Sequence, residues 1–233
     1  MTLASRSKIL TIMMVDIVDY TKLSSSLGRE KFDELNENFD RISLPLFEKY
    51  AGKVIKKMGD AFIVVFESAT DSLHCAIDLQ NKFWEYNESR AGTPIKIKIA
   101  LNTGEVLIRE GDIYGESVNI ASRVEKITKP GQIFFTHPVF LAMNKNEIPF
   151  LYLGRKKVKG IEYLLKIFRV KGVGEERKKW KLGGFGWLTA VIFDLLIMLF
   201  WIAIMGGIIW FVYRVLVVSG YWDRIIDWVR LIF

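Results

Sequence analysis

Hydrophobic and polar positions along the chain fall into short blocks of distinct period. Ile9–Val18 is an apolar run broken at Asp16. It is short for a signal-peptide core and no small-residue cleavage site follows, so it reads as a buried strand. Phe32, Leu35, Phe39, Ile42 and Leu46 recur at three- and four-residue spacing, predicting an amphipathic helix over 29–50 that ends at Gly52. Lys53–Lys57 and Ala61–Glu67 read as short strands joined by the tight turn Met58-Gly59-Asp60. Leu73, Ile77, Leu79 and Phe83 mark a second helix over 69–88. Ile95–Leu101 alternates isoleucine and lysine like a half-buried strand, and Glu105–Arg109, beyond Thr103-Gly104, reads as its hairpin partner. A helix over Ser117–Thr128 stops at Pro130-Gly131, a strand at Gln132–Thr136 follows, and two short strands complete 151–170.

This order, βα(ββ)α(ββ)αβ with a closing strand pair, is an α+β pattern: helices packed on a sheet over residues 1–170. Residues 171–186 read as a linker carrying a basic collar of Arg177, Lys178, Lys179 and Lys181. In the next segment, 187–213, 23 of 27 residues are apolar. As a helix it would extend about 40 Å against a hydrocarbon core of about 30 Å, enough for one tilted crossing and too little for two. The collar precedes this segment, whereas the flank 214–233 is nearly neutral, which predicts that the N-terminal domain lies in the cytoplasm beside the cell (inner) membrane. Trp222, Ile225, Ile226, Val229 and Ile232 predict a short interfacial helix in that tail.

Composition agrees with the division. The chain is 51% hydrophobic, and six of its seven tryptophans fall after residue 179. Without the apolar segment the fraction drops to about 47%, an ordinary globular value. One cysteine, Cys75, rules out an intrachain disulfide framework and a cysteine-based zinc site. The net charge of +7 is spread over the whole length, so nucleic acid is not an expected partner.

Three segments carry candidate chemistry. Asp16 ends an apolar strand just before a helix start, at Val15-Asp16-Ile17-Val18-Asp19. Asp60 follows Lys56-Lys57-Met58-Gly59 on a hairpin that returns it towards Asp16 if the strands are neighbours. Two carboxylates on adjacent strand ends suit a pair of divalent cations for phosphoryl or nucleotidyl transfer. The third segment is Asp112-Ile113-Tyr114-Gly115 followed by Val118-Asn119-Ile120-Ala121-Ser122-Arg123. Asn119 and Arg123 lie four apart on one helix face, where an amide can hold a sugar and a guanidinium can meet phosphate charge.

Over roughly residues 8–170, in this order, the segments resemble the catalytic domain of class III nucleotidyl cyclases, the adenylate and guanylate cyclase family. The resemblance implies a ferredoxin-like, palm-like βαββαβ core acting as a head-to-tail homodimer with composite sites. It implies metal binding (two Mg²⁺ or Mn²⁺) by Asp16, Asp60 and the Ile17 carbonyl. Lys56 and Asp112 match the purine-selecting pair, Asn119 the ribose-orienting residue and Arg123 the transition-state residue. Lys159, in Lys157-Val158-Lys159-Gly160, matches the lysine for the terminal phosphates. Glu105 departs from the pattern, standing where some members carry a phosphate-binding arginine.

The expected substrate is ATP. Adenine offers a 6-amino donor to Asp112 and an N1 acceptor to Lys56, and guanine reverses both features. The sequence thus predicts a membrane-anchored adenylate cyclase, with membrane lipid around its C-terminal helix. A cyclase for another nucleotide and a nucleotide-binding sensor remain the alternatives. A diguanylate cyclase is disfavoured, because its Gly-Gly-(Asp/Glu)-Glu-Phe turn is not matched by Met58-Gly59-Asp60-Ala61-Phe62.

Overall fold

The computed structural model describes residues 6–90, 92–218 and 220–232, without the side chains of 175–191, 216, 218, 221–223 and 225. Its first unit, Met1–Lys179, is built on a strand that is apolar on both faces. Along β1 (Arg6–Ile17), Met13, Val15 and Ile17 enter one core cluster, while Leu10, Ile12 and Met14 enter another on the opposite face. Burial on both sides explains why the sequence shows a mostly apolar run up to Asp16 rather than alternation.

Next come the short α1 (Tyr20–Ser26), α2 (Arg29–Lys49), the hairpin β2 (Lys53–Met58) and β3 (Ala61–Phe66), and α3 (Ala69–Ser89). β4 (Ile97–Arg109), β5 (Asp112–Tyr114), α4 (Glu116–Ile127), β6 (Ile133–Thr136), α5 (His137–Ala142), β7 (Phe150–Lys156) and β8 (Leu165–Val170) complete the unit. The strands form one sheet in the order β2-β3-β1-β4-β6-β8-β7, with β5 paired to β4. β3 and β4 flank β1 antiparallel, and β4 to β6 is the parallel pair. The order β2-β3-β1-β4, with crossovers through α2 and α3, is the ferredoxin-like core that the sequence predicts.

α2 and α3 cover one face. Phe39 of α2 lies 5.0 Å from Phe62 of β3 and 5.8 Å from Phe83 of α3, ring centre to ring centre, and all three are buried. Ser68 caps α3 by accepting a hydrogen bond from the Asp71 amide. The other face is covered by α4, whose Ala121 packs on Leu10, Ile12 and Met14.

The expected hairpin at Thr103-Gly104 is not formed. β4 runs straight through, with Thr103 opposite Thr11 and Gly104 opposite Leu10, because the long β1 offers partners along the whole length. Gly104 serves a close approach instead, since a methyl group there would run into the Ser117 hydroxyl on α4. The actual turn is Glu110-Gly111, both at positive φ (53° and 81°), the geometry of a type I′ hairpin. α5, unexpected from the apolar pattern, is a short helix with Pro138 in its first turn.

The second unit, Trp180–Phe233, holds most of α6 (Glu175–Val218) and all of α7 (Tyr221–Ile232). The backbone from Glu175 is already helical, so much of the expected linker forms the start of α6. The collar side chains and the Trp222 and Ile225 part of the expected interfacial face lie outside the described residues. Within α6, Ile192–Val215 is long and apolar enough to cross a membrane, and its apolar side chains are exposed, Phe193, Trp201 and Trp210 by 60% or more. A helix in a soluble core would bury such rings.

Candidate active site

β1 ends at the candidate metal residues. Asp16 lies opposite Ala61, the first residue of β3, and the Ile17 amide donates to the Asp60 carbonyl at 3.0 Å. Gly59 turns the β2–β3 hairpin at φ 58°, returning Asp60 to Asp16. The structure therefore brings the two carboxylates together as the sequence predicts. Burial, and then the negative charge of Asp16, push the Asp60 carboxyl above its usual range, against a hydrogen bond from its own backbone.

Two further charged residues join this end of the sheet. Lys98 stands opposite Asp16 in the β1–β4 register, and its Nζ lies 2.9 Å from Asp16 Oδ2 and 2.5 Å from Glu125 Oε1 of α4. Burial acts to lower the Lys98 pKa, but hydrogen bonds to Glu125 and Asp16 outweigh it and the net shift is upward. Burial raises Glu125, only partly offset by its bond to Lys98. Sequence reading missed both residues. The available signal was a lysine in a strand flanked by apolar positions, since a shielded lysine needs a carboxylate partner.

Among the described residues no group of three or more His, Cys, Asp or Glu side chains is arranged to hold a metal alone. The available donors are two carboxylates and a strand-end carbonyl, hard oxygen ligands that fit Mg²⁺ or Mn²⁺ when substrate oxygens complete the shell.

The candidate base-selecting residues Lys56 and Asp112 are in direct contact. A register shift between Val54 and Lys56 interrupts β2, and Lys56 Nζ reaches Asp112 Oδ2 of β5 at 2.6 Å. Asp112 also accepts from the Ile113 amide at 2.8 Å. Lys56 first, and then that amide, hold its carboxyl below the ordinary range.

Ser117, Asn119 and Arg123 follow from the seating of α4. Gly115 enters the helix at φ 137°, where a methyl group would press on the Glu105 carbonyl at 3.3 Å. The buried Asn102 side chain donates to the Ser117 carbonyl and accepts from the Thr136 hydroxyl, tying the first turn of α4 to β4 and β6. Asn119 is exposed and Arg123 half-buried. Val158 packs in one cluster with Ile120 and Val124, which brings the 157–160 loop to α4. A methyl group on Gly160 would touch the Arg123 guanidinium at 3.9 Å, so Lys159, exposed, belongs to the loop beside Arg123.

A cleft of about 270 Å³ is lined by Asp16, Lys56, Asn119, Ser122 and Glu125 together with apolar residues that include Met14 and Met58. A second cleft of about 290 Å³, between the end of α3 and the start of β4, contains none of the candidate residues. The first is the one where chemistry converges: carboxylate, ammonium, amide and hydroxyl beside an apolar wall.

Residues 3–172 match the family model described as the adenylate and guanylate cyclase catalytic domain. The adenylate cyclase of Anabaena cylindrica is 30% identical over 190 residues, covering 72% of this chain and 38% of that protein. The serine/threonine-protein kinase pkn2 of Myxococcus xanthus is 29% identical over 167 residues, 71% of this chain and 20% of that protein. The chain thus spans well under half the length of these relatives. Among solved structures, the adenylyl cyclase CyaB from P. aeruginosa superposes with a TM-score of 0.65 at 25% identity, covering 72% of this chain and 96% of that one.

Proposed function

Because the chain belongs to the adenylate and guanylate cyclase catalytic domain family, we propose that it is a membrane-anchored adenylate cyclase converting ATP to 3′,5′-cyclic AMP and pyrophosphate in a homodimer. The observation that carries the ATP reading is the Lys56–Asp112 pair at 2.6 Å. Lys56 donates to adenine N1 and Asp112 accepts from the 6-amino group. Guanine, with an N1–H and a 6-oxo group, would set donor against donor and acceptor against acceptor.

Asp16, Asp60 and the Ile17 carbonyl would hold two divalent cations, which would supply Lewis acidity to the ribose 3′-hydroxyl and the triphosphate oxygens. Asn119 orients the ribose. The 3′-oxygen, its proton passed to solvent water, forms a bond to the α-phosphorus as the bond from the α-phosphorus to the α,β-bridging oxygen breaks and pyrophosphate leaves with that oxygen. Arg123 donates to the α-phosphate oxygens, where charge is rearranged, and Lys159 meets the departing phosphates.

In the dimer reading, Asp16 and Asp60 come from one protomer and Lys56, Asp112, Asn119, Arg123 and Lys159 from the other. The candidate span in α6 supports an anchor that keeps both copies in one membrane plane and raises their effective concentration. The collar supports a cytoplasmic catalytic unit.

Mixing Asp60→Ala and Arg123→Ala full-length chains tests the composite site. Each variant alone loses activity by about 100-fold or more. Random pairing restores about a quarter of wild-type activity, since half the dimers are mixed and each keeps one of two sites. Absence of recovery in verified mixed dimers would favour a site completed within one chain, a competitor supported by Asp16, Lys56 and Asn119 bordering one cleft.

A further inference from the structure

Asp16, Lys98 and Glu125 form an ion-paired row across β1, β4 and α4, with 19%, 21% and 14% of their side chains exposed. Water reaches the row poorly, so each charge depends on its neighbours. Lys98 uses one ammonium group for two carboxylates, and its three donors can serve both at once. Of the two, Glu125 is the closer, at 2.5 Å against 2.9 Å.

We propose that Lys98 is a positioning residue that neutralises Asp16 when no divalent cation is bound, and that Glu125 retains Lys98 when a cation takes Asp16. The inference rests on Asp16 being a metal ligand, as read above. A cation on Asp16 and the Lys98 ammonium carry like charges and cannot share that carboxylate on equal terms. Departure of Lys98 into water would leave Glu125 unpaired in a shielded place, whereas transfer of its whole bond to Glu125 keeps every charge matched. Glu125 thus makes the exchange at Asp16 reversible, and Lys98 sets how strongly a cation must bind to win it. Neither residue touches reacting atoms in this scheme.

Mn²⁺ binding by the full chain in detergent, with α,β-methylene ATP present, is followed through the electron paramagnetic resonance signal of free Mn²⁺. Lys98→Met removes the competitor, and the Mn²⁺ dissociation constant falls about tenfold. Glu125→Gln leaves Lys98 with Asp16 alone, and the constant rises about tenfold. Lys98→Met/Glu125→Gln binds more tightly than Glu125→Gln, because Lys98 acts downstream of Glu125. Glu125→Gln preserves side-chain shape, so it carries the test if Lys98→Met does not fold. Asp16→Asn separates the two levels of the argument. If it abolishes binding while Glu125→Gln and Lys98→Met match the wild type, Lys98 is only a structural bridge and the inference falls. If Asp16→Asn binds Mn²⁺ like the wild type, the metal-ligand reading falls first.

Discussion

Replacing Asp112 by alanine should separate recognition from stability. The Lys56–Asp112 pair is short, but its side chains are 38% and 28% exposed. Solvent screening limits such a pair to about 0–1 kcal/mol of folding stability. For a domain of this size that is a melting shift of about 2–4 °C at most. The substrate feels a larger change. Adenine loses the acceptor for its 6-amino group, a charged hydrogen bond worth about 1.5–3 kcal/mol, or about 10- to 150-fold in kcat/KM for ATP. Asp112 also opposes the guanine 6-oxo group, so its removal should leave GTP turnover unchanged or raise it. Initial rates with ATP and GTP on full-length protein in detergent, quantified by chromatography, check this beside thermal melts of the same samples. Equal losses with both nucleotides and a melting drop above about 10 °C would refute it, assigning Asp112 to the fold rather than the base.

Three other outcomes are expected. Gly104→Ala should destabilise the catalytic unit by about 1–3 kcal/mol in chemical denaturation, because the added methyl meets the Ser117 hydroxyl. Adding Ser117→Ala should recover part of that loss, and no recovery would contradict the packing account. Burial pushes the Cys75 thiol up to about 12, so an aromatic disulfide reagent should leave the folded protein unmodified and titrate one thiol after unfolding. Burial acts to raise the Asp78 carboxyl, but hydrogen bonds from Lys49 and Tyr50 outweigh it and hold it below the usual range. A lowered folded pKa gives stability that is complete above the unfolded value, about 3.9, and is lost as pH falls through the folded value. Asp78→Asn should therefore cost about 1 kcal/mol at neutral pH, with the gap to wild type closing below about pH 4 in pH-dependent melts.

The sequence revealed the catalytic unit well wherever period and burial agree. The run in β1, the amphipathic faces of α2 and α3 and the β2–β3 turn all lie close to where the pattern places them. So does the approach of Asp60 to Asp16, whereas the meeting of Lys56 with Asp112 is implied by the family resemblance alone. What failed turned on facts about neighbours. Thr103-Gly104 reads as a turn in sequence, where a strand glycine facing a helix and a glycine in a turn look alike, and in the structure Gly104 lies within β4 against Ser117. The true turn was obscured because Glu110, a residue with a Cβ, takes the left-handed conformation. Lys98 looked like a solvent-facing position of an alternating strand until α4 supplied Glu125. Residues 171–186 read as a linker from their composition, and the backbone from Glu175 onward is helical.

The most direct test is nucleotide turnover by the purified full-length chain in detergent with Mg²⁺ or Mn²⁺. All four nucleoside triphosphates are supplied, and products are identified by mass spectrometry. The expected result is 3′,5′-cyclic AMP and pyrophosphate in equal amounts from ATP, with Asp60→Ala inactive. ATP bound by a verified dimer without release of pyrophosphate would contradict it and leave a nucleotide sensor in place of an enzyme.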